Sequence, residues 1–235
     1  MGNPPDGTES PVVLVHGWGG SFDSTWRSSG FEALLEDAGK TVIGVDLLGH
    51  GRSPKPHDPA AYDDLSLGVL ERMPDEPCDA VGFSLGAMTL LRIMIDHPNR
   101  LRRVVLAGIG RNVLEAPNPA QTARIVEAIE GRGDPTDVTA GLFAQYAHQP
   151  GNDPTALAAV MKRERARPTD LELSGIEHET LIVIGDRDFA GPGEPLADRI
   201  RNAELLTLRG VDHFATTENF GFFDAALEFL GALPS

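Results

Sequence analysis

The chain has 235 residues, 41% of them hydrophobic and 23% charged, which is enough to bury a full core and too apolar for a disordered chain. Thirty-five acidic residues against 20 basic ones give a net charge of −15, a field that repels nucleic acid and anionic membranes. Cys78 is the only cysteine, which excludes an internal disulfide and a multi-cysteine metal site, and no apolar run approaches the roughly 20 residues of a membrane span. The N-terminus MGNPPDGTES is polar and lacks a signal-like apolar stretch, so a cytoplasmic protein is expected.

Short runs of Val, Ile and Leu alternate with helical segments, the pattern of a parallel α/β sheet. Strands are predicted at PVVLVHG (11–17), TVIGVD (41–46), CDAVGFS (78–84), LRRVVLAG (101–108), TLIVIGD (180–186) and AELLTLRG (203–210). Their near-continuous apolar character suits strands covered on both faces. Helices are predicted over 31–39, 60–73, 85–97, 194–202 and roughly 217–231; the one after the third strand is apolar nearly all round and therefore buried. The alternation breaks between Arg111 and Asp170. There Asn118-Pro119, Asp134-Pro135 and Asp153-Pro154 each precede Ala-rich sequence, and Asn or Asp before Pro is a helix start, so three short helices are predicted. The expected architecture is a mainly parallel sheet of about six strands with helices on both faces. Residues 1–110 and 171–235 form the core, and a helical cap over 111–170 is inserted after the fourth strand.

The strongest chemical signal is Gly82-Phe83-Ser84-Leu85-Gly86, at the end of a predicted strand and the start of a predicted helix. A sharp strand-to-helix turn there lifts the Ser84 hydroxyl above the sheet, and it needs small residues two before and two after the serine. A hydroxyl requires a base. His213 follows the sixth strand, at the same carboxyl edge of the sheet, whereas His57, His97, His148 and His178 read as surface histidines. The base requires a carboxylate, and Asp186 and Asp188 both follow the fifth strand. Asp188 lies further out and can turn toward His213, so it is favoured; Asp186 is expected to hold the loop. An oxyanion needs N–H donors, for which Leu85 and Trp18, the latter within His16-Gly17-Trp18-Gly19-Gly20, are the candidates. Phe143, Tyr146 and Met161 in the insertion, and Phe83, Phe189 and Phe214 beside the motifs, are candidates for the substrate pocket. Arg163, Arg165 and Arg167 read as a solvated face.

These motifs resemble those of the α/β-hydrolase-fold serine hydrolases. HGWGG is similar to that family's oxyanion loop, DLLGHGRS to its D-x-x-G-x-G-x-S loop, GFSLG to its nucleophile elbow, GDRD to its acid loop and DHF to its histidine loop. The resemblance covers about 11–110 and 175–235, and it implies that His16 and His50 organise loops. Family members usually carry two further strands before the oxyanion strand; here only about ten residues precede it, so a trimmed sheet is expected, with the strand nearest the N-terminus less covered. The implied activity is hydrolysis of a small to medium, largely apolar ester through an acyl-enzyme on Ser84. It needs no cofactor or metal and no partner beyond a small-molecule substrate; nucleic acid and membrane are not expected, and the oligomeric state is not set. Cleavage of carbon–carbon bonds, lactones or thioesters, lyase or cofactor-free oxygenase chemistry, and a non-catalytic binding role are the alternatives.

Overall fold

All six apolar runs form strands in the computed structural model, which describes residues 10–116 and 118–232. They are β1 (Val12–Val15), β2 (Val42–Val45), β3 (Cys78–Phe83), β4 (Leu101–Ala107), β5 (Glu179–Gly185) and β6 (Ala203–Leu208). Every pairing is parallel and the order is β2-β1-β3-β4-β5-β6. The chain first steps from β1 to β2 and then returns to β1's other side as β3. The winding therefore reverses between β1 and β3, where diverging connections leave a crevice beyond the strands' carboxyl ends.

Side-chain alternation sends β1 into two cores. Val13 and Val15 join Leu90, Ile93 and Leu106 on one face, while Val12 and Leu14 join Phe31, Leu35 and Phe222 on the other. Helices α1 (Phe31–Asp37) and α9 (Phe220–Phe229) cover the second face; α2 (Ser66–Leu70), α3 (Leu85–Asp96) and α8 (Glu194–Ala197) cover the first. Between β4 and β5 lie α4 (Pro119–Ile129), α5 (Val138–Ala147), α6 (Pro154–Lys162) and α7 (Asp170–Ser174). Helices α4 to α6 share a small core of their own around Ile125, Ile129, Ala140 and Leu157. Among the described residues no helix is long and apolar enough to cross a membrane.

Several boundaries differ from expectation for local reasons. The helix expected over 60–73 is split: a 3₁₀ turn at Pro59–Tyr62 is capped by Asp58, and Asp64 then accepts the Ser66 N–H at 2.9 Å to start α2. Asp134 does not cap a helix. Its carboxylate folds onto Thr136, and Asp137 caps α5 through the Ala140 N–H instead. The fourth helix of the insertion, α7, begins with a reciprocal Thr169–Glu172 capping box that the Asn-Pro and Asp-Pro criterion does not detect. Helix α8 ends at Ala197 because Arg199 and Ile200 turn with tighter i to i−3 bonds. The strand nearest the N-terminus is fully buried, since β1 sits between β2 and β3; the less covered edge on that side is β2. The polar stretch at 1–9 lies outside the described residues.

Candidate active site

Ser84 sits on the turn from β3 into α3 with φ 51° and ψ −109°, the one non-glycine residue with positive φ among the described residues. Such a conformation costs about 1–3 kcal/mol and persists only where the surroundings enforce it. The flanking glycines show how. A Cβ on Gly86 would lie 2.2 Å from the Val15 carbonyl oxygen, and one on Gly82 would lie 2.7 Å from the Ala87 nitrogen. Helix α3 thus presses directly on the end of β1, and the turn is tight enough to lift the hydroxyl off the sheet. The Ser84 N–H donates to the Ala107 carbonyl at 2.8 Å, tying the turn to β4.

Three side chains from three loops meet there. Ser84 Oγ lies 3.0 Å from His213 Nε2, and His213 Nδ1 lies 2.9 Å from both carboxylate oxygens of Asp188. With the proton on Nδ1 donated to Asp188, Nε2 is left as an acceptor for the serine hydroxyl. Asp188 and His213 are both buried. Asp188 is held by accepting the Ala190 N–H at 2.8 Å. Asp186 instead accepts the Gly210 N–H at 2.7 Å and ties the acid loop to the loop after β6, while Asp212 caps its own turn through the Ala215 N–H. The rings of Phe83, Phe189 and Phe214 lie 4.9, 4.2 and 5.5 Å from the imidazole.

The loop after β1 approaches Ser84 from the other side. A Cβ on Gly17 would lie 3.4 Å from Ser84 Cβ and 2.8 Å from the Phe83 ring, so only glycine lets this backbone come so close. Leu85 opens α3, where a backbone N–H has no intrahelical acceptor. Neither its N–H nor that of Trp18 is engaged by an acceptor among the described residues. The Trp18 indole donates to the Leu157 carbonyl at 3.2 Å, and the Asn152 amide donates to the carbonyls of Gly19 and Tyr146 at 2.8 and 2.9 Å. The inserted helices are thereby pinned to this loop. Sequence reasoning missed Asn152; its place in a Gly-Asn-Asp-Pro turn gives no sign of what it would reach.

His16 and His50 lie behind the loop, fully buried, with ring centroids 5.1 Å apart. His16 Nε2 accepts the Leu47 N–H at 3.1 Å, and Nδ1 donates to the Gly17 carbonyl at 2.7 Å. Burial holds the His16 imidazole below the ordinary value, against the opposing pull of Gly17 and Asp46. Burial and the neighbouring His16 bring His50 down to about 3. Both are neutral spacers that join the β1 and β2 loops. Asp46 completes the joint by accepting the N–H groups of Phe22 at 2.7 Å and Arg52 at 2.8 Å. Among the described residues no three His, Cys, Asp or Glu side chains converge as a metal site.

Two cavities meet at Ser84. The larger, about 900 Å³, runs under α4 and α6 and reaches Trp18, Leu85, Phe143, Met161 and Phe189. The smaller, about 210 Å³, is bordered by Phe83, Tyr146, His213 and Phe214, where Tyr146 and Phe214 stack with centroids 4.9 Å apart. Of the site residues named from the sequence, all border one or both arms except Asp188, which lies buried against His213 Nδ1. The reading of Arg163 and Arg165 as part of a solvated face needs correction, because they border the large arm together with Lys162. Arg163 and Arg165 are half-buried rather than solvated. Both border this arm and also a further cavity of about 130 Å³ beside α2 and α3.

Comparison with known proteins agrees with this fold. The family model of the α/β hydrolase fold matches residues 10–130. A pimeloyl-[acyl-carrier protein] methyl ester esterase of Neisseria meningitidis is 30% identical over 89% of this chain and 87% of its own. A 2-hydroxymuconate semialdehyde hydrolase of Pseudomonas sp. is 29% identical over 92% of this chain and 85% of its own. The crystal structure of an enol-lactonase from Burkholderia xenovorans, 23% identical, superposes with a TM-score of 0.70 over 96% of this chain and 92% of that one, a likeness of fold. The chain belongs to the α/β-hydrolase fold family.

Proposed function

We propose that the protein is a serine hydrolase that cleaves a small to medium carboxylic ester through an acyl-enzyme on Ser84. The observation that carries this reading is the continuous line from Ser84 Oγ through His213 to Asp188, at 3.0 and 2.9 Å, on a strained turn. His213 Nε2 takes the Ser84 proton as Oγ bonds to the ester carbon, and the carbonyl electron pair moves onto oxygen. The N–H groups of Leu85 and Trp18 receive that oxyanion; such donors are typically worth about 10²–10³ in rate each. Asp188 holds the imidazole in the required tautomer and stabilises its cation. The intermediate collapses, the alkoxide leaves with the proton from His213, and the acyl group remains on Ser84. Water then attacks the acyl carbon, gives its proton to His213 and releases the acid, and Ser84 recovers its hydrogen.

The esterase relative supports an ester as the cleaved bond. A second reading is supported by the relative named for 2-hydroxymuconate semialdehyde, a compound with no ester: hydrolysis of a carbon–carbon bond beside a carbonyl, using the same serine. A fluorophosphonate probe is expected to label Ser84 and not the Ser84→Ala variant; labelling that survives in the variant overturns the nucleophile assignment. Turnover of 4-nitrophenyl esters of increasing acyl length, measured beside turnover of a vinylogous 1,5-diketone acid, separates the two readings. Esters cleaved at least about a hundredfold faster support the first, and the reverse supports the second.

A further inference from the structure

Arg163 and Arg165 play no part in the proton transfers at Ser84, and among the described residues no carboxylate lies within ion-pair distance of either. Arg163 Nη1 donates to the Val160 carbonyl at 2.7 Å. Arg165 reaches only Met88 Sδ and the Asn112 carbonyl, both at 3.4 Å. Among the described residues neither meets a carboxylate, in a chain of net charge −15 where Arg27, Arg92, Arg102, Arg103 and Arg199 all do. The acids of the same cavity wall do not serve them: Glu115 pairs with Arg111 at 3.0 Å, Glu130 with Lys162 at 3.2 Å, and Glu127 stays outside ion-pair distance of both. A guanidinium has five N–H donors, and most of these remain unengaged by protein groups. Burial brings Arg163 down to about 10, with the adjacent Arg165 charge adding to the effect, yet both stay cationic at neutral pH. Two half-buried like charges without an acid are costly to hold side by side unless an anion joins them.

We propose that Arg163 and Arg165 form a binding site for a substrate carboxylate at the inner wall of the large arm. The site is placed for chemistry at Ser84: Met88, which Arg165 touches, follows Ser84 by one turn of α3, about 6 Å along the axis. Planar guanidinium forks match a carboxylate through two parallel N–H bonds. The small arm is the wrong place for an anion, since its border includes Glu218 and no Arg or Lys. The substrate is then an ester, or on the second reading a ketone, whose anionic chain lies in the large arm and whose uncharged part lies in the small one. This orientation rests on the reading of Ser84 as the reacting group, but the anion site can be tested without turnover.

The test compares mono-4-nitrophenyl adipate with its uncharged methyl ester, two probes that differ in one carboxylate. Equilibrium binding to the Ser84→Ala variant is expected to favour the anionic probe by about tenfold or more, and the preference should shrink as salt rises. Arg163→Met or Arg165→Met in that background should bring the two affinities together, while Arg165→Lys keeps part of the difference. Equal binding of the two probes, or a preference untouched by both Met changes, overturns the proposal. Should the Met variants fail to fold, the probe ratio and its salt dependence decide alone, and a ratio near one refutes the site. Turnover by the unaltered protein is a separate readout: an intact anion preference with neither probe cleaved overturns the ester reading and leaves the anion site standing.

Discussion

The sharpest consequence of the turn geometry concerns one methyl group. Gly86→Ala places a Cβ 2.2 Å from the Val15 carbonyl oxygen and 2.6 Å from that of His16, both backbone atoms of β1 and its loop. Ordinary contact begins near 3.4 Å, so α3 must retreat by about 1 Å. Overpacking of this kind costs about 1–3 kcal/mol. Ser84 moves with the helix, and its 3.0 Å bond to His213 is lost. A misplacement of about 1 Å at a reacting group costs about a hundredfold in rate. Gly141→Ala makes the same chemical change in the middle of α5, where a Cβ meets nothing within 4 Å, and should stabilise by about 0.5–1 kcal/mol. At about 2–4 °C per kcal/mol for a chain of this size, Gly86→Ala lowers Tm by about 2–12 °C and Gly141→Ala raises it by about 1–4 °C. Thermal melts and the rate of fluorophosphonate labelling read both effects. A Gly86→Ala protein that labels and melts as the unaltered one does would refute the packing argument, as would equal losses in both variants.

Other expectations follow from neighbouring contacts. Asp188→Asn removes the carboxylate that fixes the His213 tautomer and should lower kcat by about 10²–10⁴, whereas Asp186→Asn, which loosens only a loop bond, should cost less than about tenfold in a steady-state ester assay; similar losses would misassign the acid. His50 titrates near 6.5 in the unfolded chain and near 3 when folded, so between these values only the unfolded chain takes up the proton and stability falls as pH drops. Urea midpoints between pH 6.5 and 5 should show His50→Gln losing up to about 1.4 kcal/mol per pH unit of that slope, and an unchanged slope contradicts the buried neutral assignment. Asp79, fully buried between Arg102 at 2.7 Å and Arg103 at 2.8 Å, should cost about 3–5 kcal/mol when changed to Ala, read as a lower urea midpoint. A loss below about 1 kcal/mol would mean that the pair contributes little beyond its exposed rim.

The sheet was legible because most strands are runs rich in β-branched or leucine residues, a signal set by burial on both faces; β3, Cys-Asp-Ala-Val-Gly-Phe, is the exception and was marked by the Gly-x-Ser-x-Gly that follows it. Ser84, His213 and Asp188 were legible because loops after parallel strands must open on one edge, and that constraint narrows the partners of any serine found there. Positions fixed by long-range geometry were harder to read. Strand order does not follow from strand pattern, so the crevice between β1 and β3 is a property of the folded chain that the strand runs do not encode. Asp137 rather than Asp134 caps α5 because a local turn at Thr136 competes for the first carboxylate. Arg163 and Arg165 look like a solvated run in one dimension; only the placement of Met88 and Asn112 against them reveals a cationic wall. Asn152 bridges two segments whose approach no spacing rule encodes.

The central claim is that Ser84 becomes covalently acylated during turnover. Rapid mixing of the protein with excess 4-nitrophenyl butyrate, followed by acid quench and mass analysis of the peptide that contains residue 84, tests it most directly. The account predicts a butyryl adduct on Ser84, formed in step with the first equivalent of nitrophenol and absent from Ser84→Ala. Steady release of nitrophenol with no adduct at Ser84, or undiminished turnover by Ser84→Ala, would contradict it.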